Sequence, residues 1–321
     1  MISNNNIPLL VAGAGSIGER HISILQKLGY SNIYVYRQRN LPLRSIAAET
    51  VTVFTDWNEI KNIRPVAAFI CTPTSQHLQQ ATDCAGSGIH LLVEKPLAAD
   101  VSGFEALKKA IIDNNVYLQV AYMMRYHPLM QQMKVLIENK QLGNLLNFQT
   151  YWGEYLPDWH PWEDYRNSYA ALKELGGGVA LTLSHDIDLV TWLCNSKFNH
   201  FSTIKNYRSA LEVNVESGAD IGFQFANGIT GHCHLNYFEK IPKRSYRFVF
   251  EEGMAEIDYY KTEMTVATRN ETYIVREEAF ERNNMFEEQC RFFMNKIESF
   301  NVKESLRQIE ESEQIIKICA G

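Results

Sequence analysis

Several features that would define other kinds of protein are missing from this sequence. No apolar run approaches the roughly 20 residues needed to span a bilayer. No block of lysine and arginine occurs, and 37 acidic residues outnumber 31 basic ones for a net charge of −6. That balance excludes the basic stripe that marks a nucleic-acid footprint, so neither nucleic acid nor membrane is an expected partner. Only six cysteines occur in 321 residues, and none lies in a C-x-x-C pair. Cys71, Cys84, Cys194, Cys233, Cys290 and Cys319 therefore read as small core residues of a reducing compartment. The opening Met1-Ile2-Ser3-Asn4-Asn5-Asn6 has neither the basic region nor the apolar core of a secretory leader, which predicts a cytoplasmic protein. Repeats and low-complexity linkers are absent. His232-Cys233-His234 is not read as a metal site, because alternate residues of a strand face opposite sides and the three cannot converge on one ion. No metal is expected.

What is present begins at Leu10-Val11-Ala12-Gly13-Ala14-Gly15-Ser16-Ile17-Gly18. This G-x-G-x-x-G turn stands between an apolar strand and a segment with helical spacing of Ile22, Leu25 and Leu28. Gly13 permits the tight turn, Gly15 admits a pyrophosphate to the backbone, and Gly18 lets helix and strand approach. A dinucleotide is the expected ligand. In such folds an acid about twenty residues on holds the ribose diol, and a basic residue accommodates a 2′-phosphate. The second strand here ends Tyr36-Arg37-Gln38-Arg39, and no Asp or Glu occurs from Tyr30 through Ala48. Arg37 and Arg39 can pair with a phosphate dianion, which favours NADP(H) over NAD(H).

At 45% hydrophobic and 321 residues, the chain has material for two domains. Up to Ala121 it alternates strand and helix: strands at 9–12, 32–36, 65–71, 90–93 and 116–121, with helices at 17–28, 77–86 and 102–114. This rhythm predicts a doubly wound parallel sheet, a Rossmann domain over 1–121. The pattern then changes to a strand at 145–152, an aromatic irregular stretch at 154–172, and a glycine-opened helix at 176–193. Alternating segments follow between Phe201 and Val275 as antiparallel strands with one exposed face. Helices at 286–298 and 302–318 close the chain, which predicts an α+β substrate-binding and oligomerisation domain over 122–321. The terminal helices are candidates to pack back on the first domain.

Glu94-Lys95-Pro96-Leu97-Ala98, Thr72-Pro73-Thr74-Ser75-Gln76-His77, Arg125-Tyr126-His127-Pro128 and Gly176-Gly177-Gly178 follow the glycine turn in order. Together they resemble the glucose–fructose oxidoreductase / inositol dehydrogenase (Gfo/Idh/MocA) family over essentially the whole chain. The resemblance implies a C-terminal domain with a large, mainly antiparallel sheet that often serves as an oligomer interface. It implies hydride transfer between a nicotinamide and a secondary alcohol or ketone of a sugar, cyclitol or related polyol. It further implies that the cofactor lies along Gly13, Gly15, Ser16, Ile17, Gly18, Cys71, Thr72, Pro73, Thr74, His77, Glu94, Lys95, Pro96 and Arg125.

Lys95 stands at the carboxyl end of a parallel strand, where such a sheet binds its ligand. A cation there stabilises a developing alkoxide, so Lys95 is read as catalytic. Glu94 is expected to face the other way and orient the turn. Lys95-Pro96 is a candidate cis bond, since X-Pro is the routine place for one. Family members carry an aspartate one turn before a histidine, and a second aspartate three residues after it. His185 and Asp188 match the later pair, while Leu181 and Thr182 occupy the earlier acid's candidate positions and the glycine-to-histidine spacing is one residue short. His185 is the general acid/base, Asp188 is available to orient it or to pair elsewhere, and Thr182 and Tyr122 complete the expected substrate contacts. The stretch from Trp152 to Tyr169 offers aromatic faces to a carbohydrate, to a base or to another subunit. Within it, Trp159 is a candidate substrate contact and Arg166 a candidate for an anionic substrate group. Asp164-Tyr165-Arg166 through Asp188 resembles members of bacterial surface-sugar pathways, which adds nucleotide sugars to the candidate substrates. Two other readings stay open: a nucleotide-bound sensor or corepressor without turnover, and a redox-assisted glycosidase with tightly held NAD⁺. A homodimer or homotetramer is expected from an exposed sheet face.

Overall fold

A computed structural model describes residues 6–38 and 42–321. The chain forms two compact units, Met1–Ala121 with Phe286–Gln314, and Tyr122–Met285 with Ile315–Gly321. In the first, β1 (Leu9–Ala12), α1 (Ser16–Lys27), β2 (Ile33–Tyr36), β3 (Thr52–Phe54), α2 (Ile60–Ile63), β4 (Ala67–Ile70), α3 (Thr74–Gly86), β5 (His90–Val93), α4 (Phe104–Asn114) and β6 (Leu118–Val120) alternate as expected. Among the described residues the strands form one six-stranded sheet, order β3-β2-β1-β4-β5-β6, parallel throughout. The strand order reverses between β1 and β4, the topological switch point beside which doubly wound sheets bind ligands. β1 and β4 are buried along their whole length, as strands covered on both faces must be. β3, short and at the edge, carries too little apolar pattern to stand out in the sequence.

The second unit opens with α5 (Pro128–Glu138), capped by His127, whose Nδ1 accepts from the Leu129 N–H at 3.2 Å. Next come β7 (Leu145–Tyr155), α6 (Val179–Thr182), α7 (His185–Cys194), β8 (Phe198–Asn206), β9 (Gly218–Phe225), β10 (Thr230–Asn236), β11 (Phe238–Phe250), β12 (Gly253–Asp258), β13 (Glu263–Thr268) and β14 (Thr272–Arg276). These strands form an eight-stranded sheet among the described residues, order β14-β13-β12-β11-β7-β10-β9-β8. It is antiparallel except for the parallel pair β7–β10. The single helix expected over 176–193 is two helices: Leu183, at φ −97° and ψ 21°, breaks the ladder after α6, and α7 restarts two residues later, at His185. In β10 the alternation holds, with Cys233 buried and its two histidine neighbours on the opposite face, where His234 Nδ1 lies 2.7 Å from Asp220.

The last helices are α8 (Arg282–Lys296) and α9 (Val302–Ala320). In the first unit, Phe293 of α8 stacks on Tyr117 and meets the edge of Phe69. α9 covers the free edge of β6: the Ser305 hydroxyl accepts from the Leu118 N–H at 2.9 Å and donates to the Val116 carbonyl at 3.0 Å. Gln308 Oε1 accepts from the Val120 N–H at 3.2 Å. An edge strand so covered cannot recruit a foreign strand. No helix among the described residues is long and apolar enough to cross a membrane.

Candidate functional site

The glycine turn assigns a different task to each glycine. Gly13 has φ +93°, and a Cβ there would meet the backbone of Cys71 and Thr72 at 2.8 Å. A Cβ on Gly18 would collide with the Gly13 carbonyl oxygen. Gly15 differs: it stands at the N-cap of α1 in extended conformation, and a Cβ there would meet nothing within 4 Å. No side chain caps α1, so the first-turn N–H groups of Ser16, Ile17 and Gly18 have no acceptor within the helix. An uncapped helix start beside open space is what a pyrophosphate requires, and the residues present fit a dinucleotide. α3 likewise begins behind Pro73 without a side-chain cap. Cys71 and Thr74 are buried around that start, and the Thr72 hydroxyl donates to Gln80 Oε1 at 2.7 Å.

Past β2, the Arg37 N–H donates to the Phe54 carbonyl and the Arg37 side chain is half-buried. Its charge acts on Glu19 of α1, whose carboxylate accepts from the Arg44 N–H at 2.9 Å and the Ser45 N–H at 2.7 Å. Burial would raise the Glu19 pKa, but these donors and Arg37 hold it below the usual carboxylate value. Arg39 lies outside the described residues.

Glu94 turns inward, its Oε1 2.9 Å from Nε2 of the fully buried His21. Lys95 is half-buried, and Lys95-Pro96 is cis. His77, expected beside the cofactor, is 2% exposed, with Nδ1 2.8 Å from the Pro96 carbonyl and Nε2 2.7 Å from the Thr72 carbonyl.

In the second unit, His185 is the first residue of α7 and buried. Its ring meets Tyr122 edge-on at 5.7 Å between centroids and lies 6.3 Å from Trp152. Burial, reinforced by Asp188, pushes the Tyr122 hydroxyl well above its ordinary pKa, so it stays a phenol. Asp188 pairs with Arg125 through two bonds, Nε–Oδ2 at 2.9 Å and Nη2–Oδ1 at 2.6 Å. The Arg125 guanidinium, expected on the cofactor, is thereby engaged on α7, and Asp188 is the partner that holds it. Thr182 is buried beside Tyr237. Trp159 is half-buried, its ring edge-on to Tyr237 at 5.5 Å. Arg166 is exposed and bonded to Asp164 at 2.8 and 3.0 Å, with Glu212 at 3.5 Å.

Two supporting groups escaped the sequence reading. His21 follows Gly18 by three residues on the apolar face of α1, and a polar residue at a core position was the available signal. Arg244 was the other, the one charge in the inward parity Arg244, Tyr246, Phe248 of β11. Its Nη2 donates to Asp186 Oδ1 at 2.8 Å, Tyr246 donates to the same oxygen at 2.8 Å, and its guanidinium carbon lies 3.4 Å above the Trp152 ring. Burial lifts the Asp186 carboxyl above its ordinary pKa despite Arg244 and Tyr246. This cluster ties α7, and so His185, to the sheet.

Fold and glycine turn together define a nucleotide-binding α/β unit joined in one chain to an α+β unit built on a large mixed sheet. The family described as an oxidoreductase family with an NAD-binding Rossmann fold matches residues 7–122. The C-terminal domain of the same family matches residues 130–256. The chain belongs to the Gfo/Idh/MocA oxidoreductase family. Levoglucosan dehydrogenase of Pseudarthrobacter phenanthrenivorans is 28% identical over 211 residues, 60% of this chain and 52% of that protein. Inositol 2-dehydrogenase of Rhodococcus erythropolis is 30% identical over 152 residues, 46% of this chain and 44% of the relative. The match thus spans about half the length of these curated relatives. Among solved structures, levoglucosan dehydrogenase in complex with NADH superposes with a TM-score of 0.83 at 18% identity, covering 98% of this chain and 95% of the other. UDP-N-acetylglucosamine 3-dehydrogenase from Acidithiobacillus ferrooxidans gives 0.79 at 16% identity, covering 98% and 96%. At such identities these structures share the fold.

Proposed function

We propose that this protein is an NAD(P)-dependent oxidoreductase acting between a secondary alcohol and the ketone of a sugar, sugar derivative or nucleotide sugar. The observation that carries the reading is the open backbone at Gly15, at the uncapped start of α1 and beside the strand-order switch. Relatives named as dehydrogenases of levoglucosan and inositol support the substrate class. A bound nicotinamide supplies the hydride acceptor or donor at its C4. His185 is the proposed base for the hydroxyl proton in oxidation and returns it in reduction, and the Lys95 ammonium is the proposed stabiliser of a developing alkoxide. The part-buried Arg125–Asp188 pair and the buried Arg244–Asp186 pair fix the helix that carries His185. NADP(H) is proposed over NAD(H), because Arg37 follows β2 where an acid would serve a ribose diol.

The purified chain is also proposed to be a homodimer or homotetramer joined through the outer face of the large sheet. Titration with NADPH and NADH, followed by tryptophan quenching, tests the cofactor reading. NADPH should bind at least about tenfold more tightly, and Arg37→Ala should abolish the difference while leaving NADH affinity in place. Equal affinities would reduce Arg37 to a partner of Glu19. No binding of either nucleotide, by protein free of copurified nucleotide, would remove the oxidoreductase reading.

A further inference from the structure

His77 is buried on the first turn of α3, outside any direct role in hydride transfer, yet both its ring nitrogens are committed. One faces the Pro96 carbonyl, in the turn that carries Lys95, at 2.8 Å; the other faces the Thr72 carbonyl, in the loop after β4, at 2.7 Å. Both loops stand at the carboxyl ends of adjacent parallel strands, the side of the sheet where a dinucleotide lies. A carbonyl oxygen can only accept a hydrogen bond, and a neutral imidazole has one N–H. Neutral His77 therefore ties one loop and turns a lone pair toward the other carbonyl, whereas the imidazolium ties both.

We propose that His77 is a positioning residue that clamps the Lys95 turn to the Thr72 loop, and that closing both ties on a bound dinucleotide takes up one proton at its ring. The inference rests on the dinucleotide reading of the site. The charged groups acting on the ring are Glu94 and Lys95, both from the turn after β5. Burial drives the proton off and outweighs the two carbonyls and Glu94, which draw it on, so the ring of the free protein sits below the ordinary histidine value. The neighbouring Cys71 is buried and stays a thiol. Free protein near neutral pH thus has one tie made. A ligand that needs both loops in place favours the protonated ring, and by linkage a proton favours that ligand.

NADH is the probe, since its phosphates do not titrate in the range of interest. Ring-nitrogen NMR of the full chain with labelled histidine, His77 being assigned by its loss in His77→Gln or His77→Asn, should show the titration moving to higher pH on saturation. NADH affinity, read by tryptophan quenching, should rise by up to about tenfold for each unit fall in pH between the two ring pKa values. That slope should vanish in either His77 variant and persist in His185→Ala. A His77 titration that NADH leaves unmoved, while quenching shows binding, overturns the inference and leaves the nucleotide reading intact. Absence of quenching at every pH overturns the nucleotide reading and the linkage with it.

Discussion

Among single residues, the glycines of the first turn separate folding from binding. Gly15→Ala places a methyl group in space that no protein atom occupies, so thermal stability should stay within about 0.5 kcal/mol of the parent. Nucleotide affinity should fall by about tenfold or more, because the methyl stands where a pyrophosphate is proposed to approach the backbone. Gly18→Ala should do the reverse and lower the melting temperature, since its methyl meets the Gly13 carbonyl. Equal binding losses without any difference in stability would separate the open position from the packed one only in name. Lys95→Met should lower turnover by about 10²–10⁴-fold and change nucleotide affinity little, as steady-state rates and quenching titrations on the same preparation will show. The residues proposed to contact ligand are the legible ones, because their types are rare at such places: a lysine at a strand end, a histidine opening a helix. Their supports are harder to see. His21 and Arg244 find Glu94 and Asp186 across 73 and 58 positions of sequence, and neither pairing leaves a local pattern.

Elements were read best where burial is one-sided or complete. β1, β4 and β5 announce themselves as short apolar runs, and β9 and β10 by alternation. The helix break at Leu183 was hidden because α6 and α7 are buried nearly all round, so no polar face marks where one helix stops. α5 went unread for a different reason: its cap is a histidine, a residue seldom found in that role. α9 offers the test at this scale. Ser305→Ala removes one side chain that serves both Leu118 N–H and Val116 C=O in a buried setting. Leaving those groups unsatisfied should cost about 1–3 kcal/mol, measurable in urea unfolding, with faster amide exchange at Leu118. Unchanged exchange there would show that α9 does not hold this edge.

For the whole molecule, the unexplained surface is the outer face of the large sheet. Pairing registers place Ile204, Asp220, His234, Tyr151 and Ser245 in one row across β8, β9, β10, β7 and β11. Ile204 is 68% exposed at the end of that row, and Ile274 of β14 is 48% exposed near the other side of the sheet. Sedimentation should give the mass of a dimer or tetramer, and Ile204→Lys with Ile274→Lys should shift it toward one chain. A parent protein that sediments as one chain at micromolar concentration would end the oligomer proposal.

The cover that α9 lays over β6 also governs the order in which this chain becomes structure on the ribosome. The strands of the nucleotide-binding sheet are translated well before Ser305 and Gln308, which close its last edge from 187 and 188 positions further along the chain. At typical synthesis rates of 5–20 residues per second, that edge waits about 10–40 s for its cover. The nucleotide-binding sheet is thus held unfinished while the whole of the larger sheet is made, and a nascent chain stalled before Ser305 presents β6 to any strand that passes.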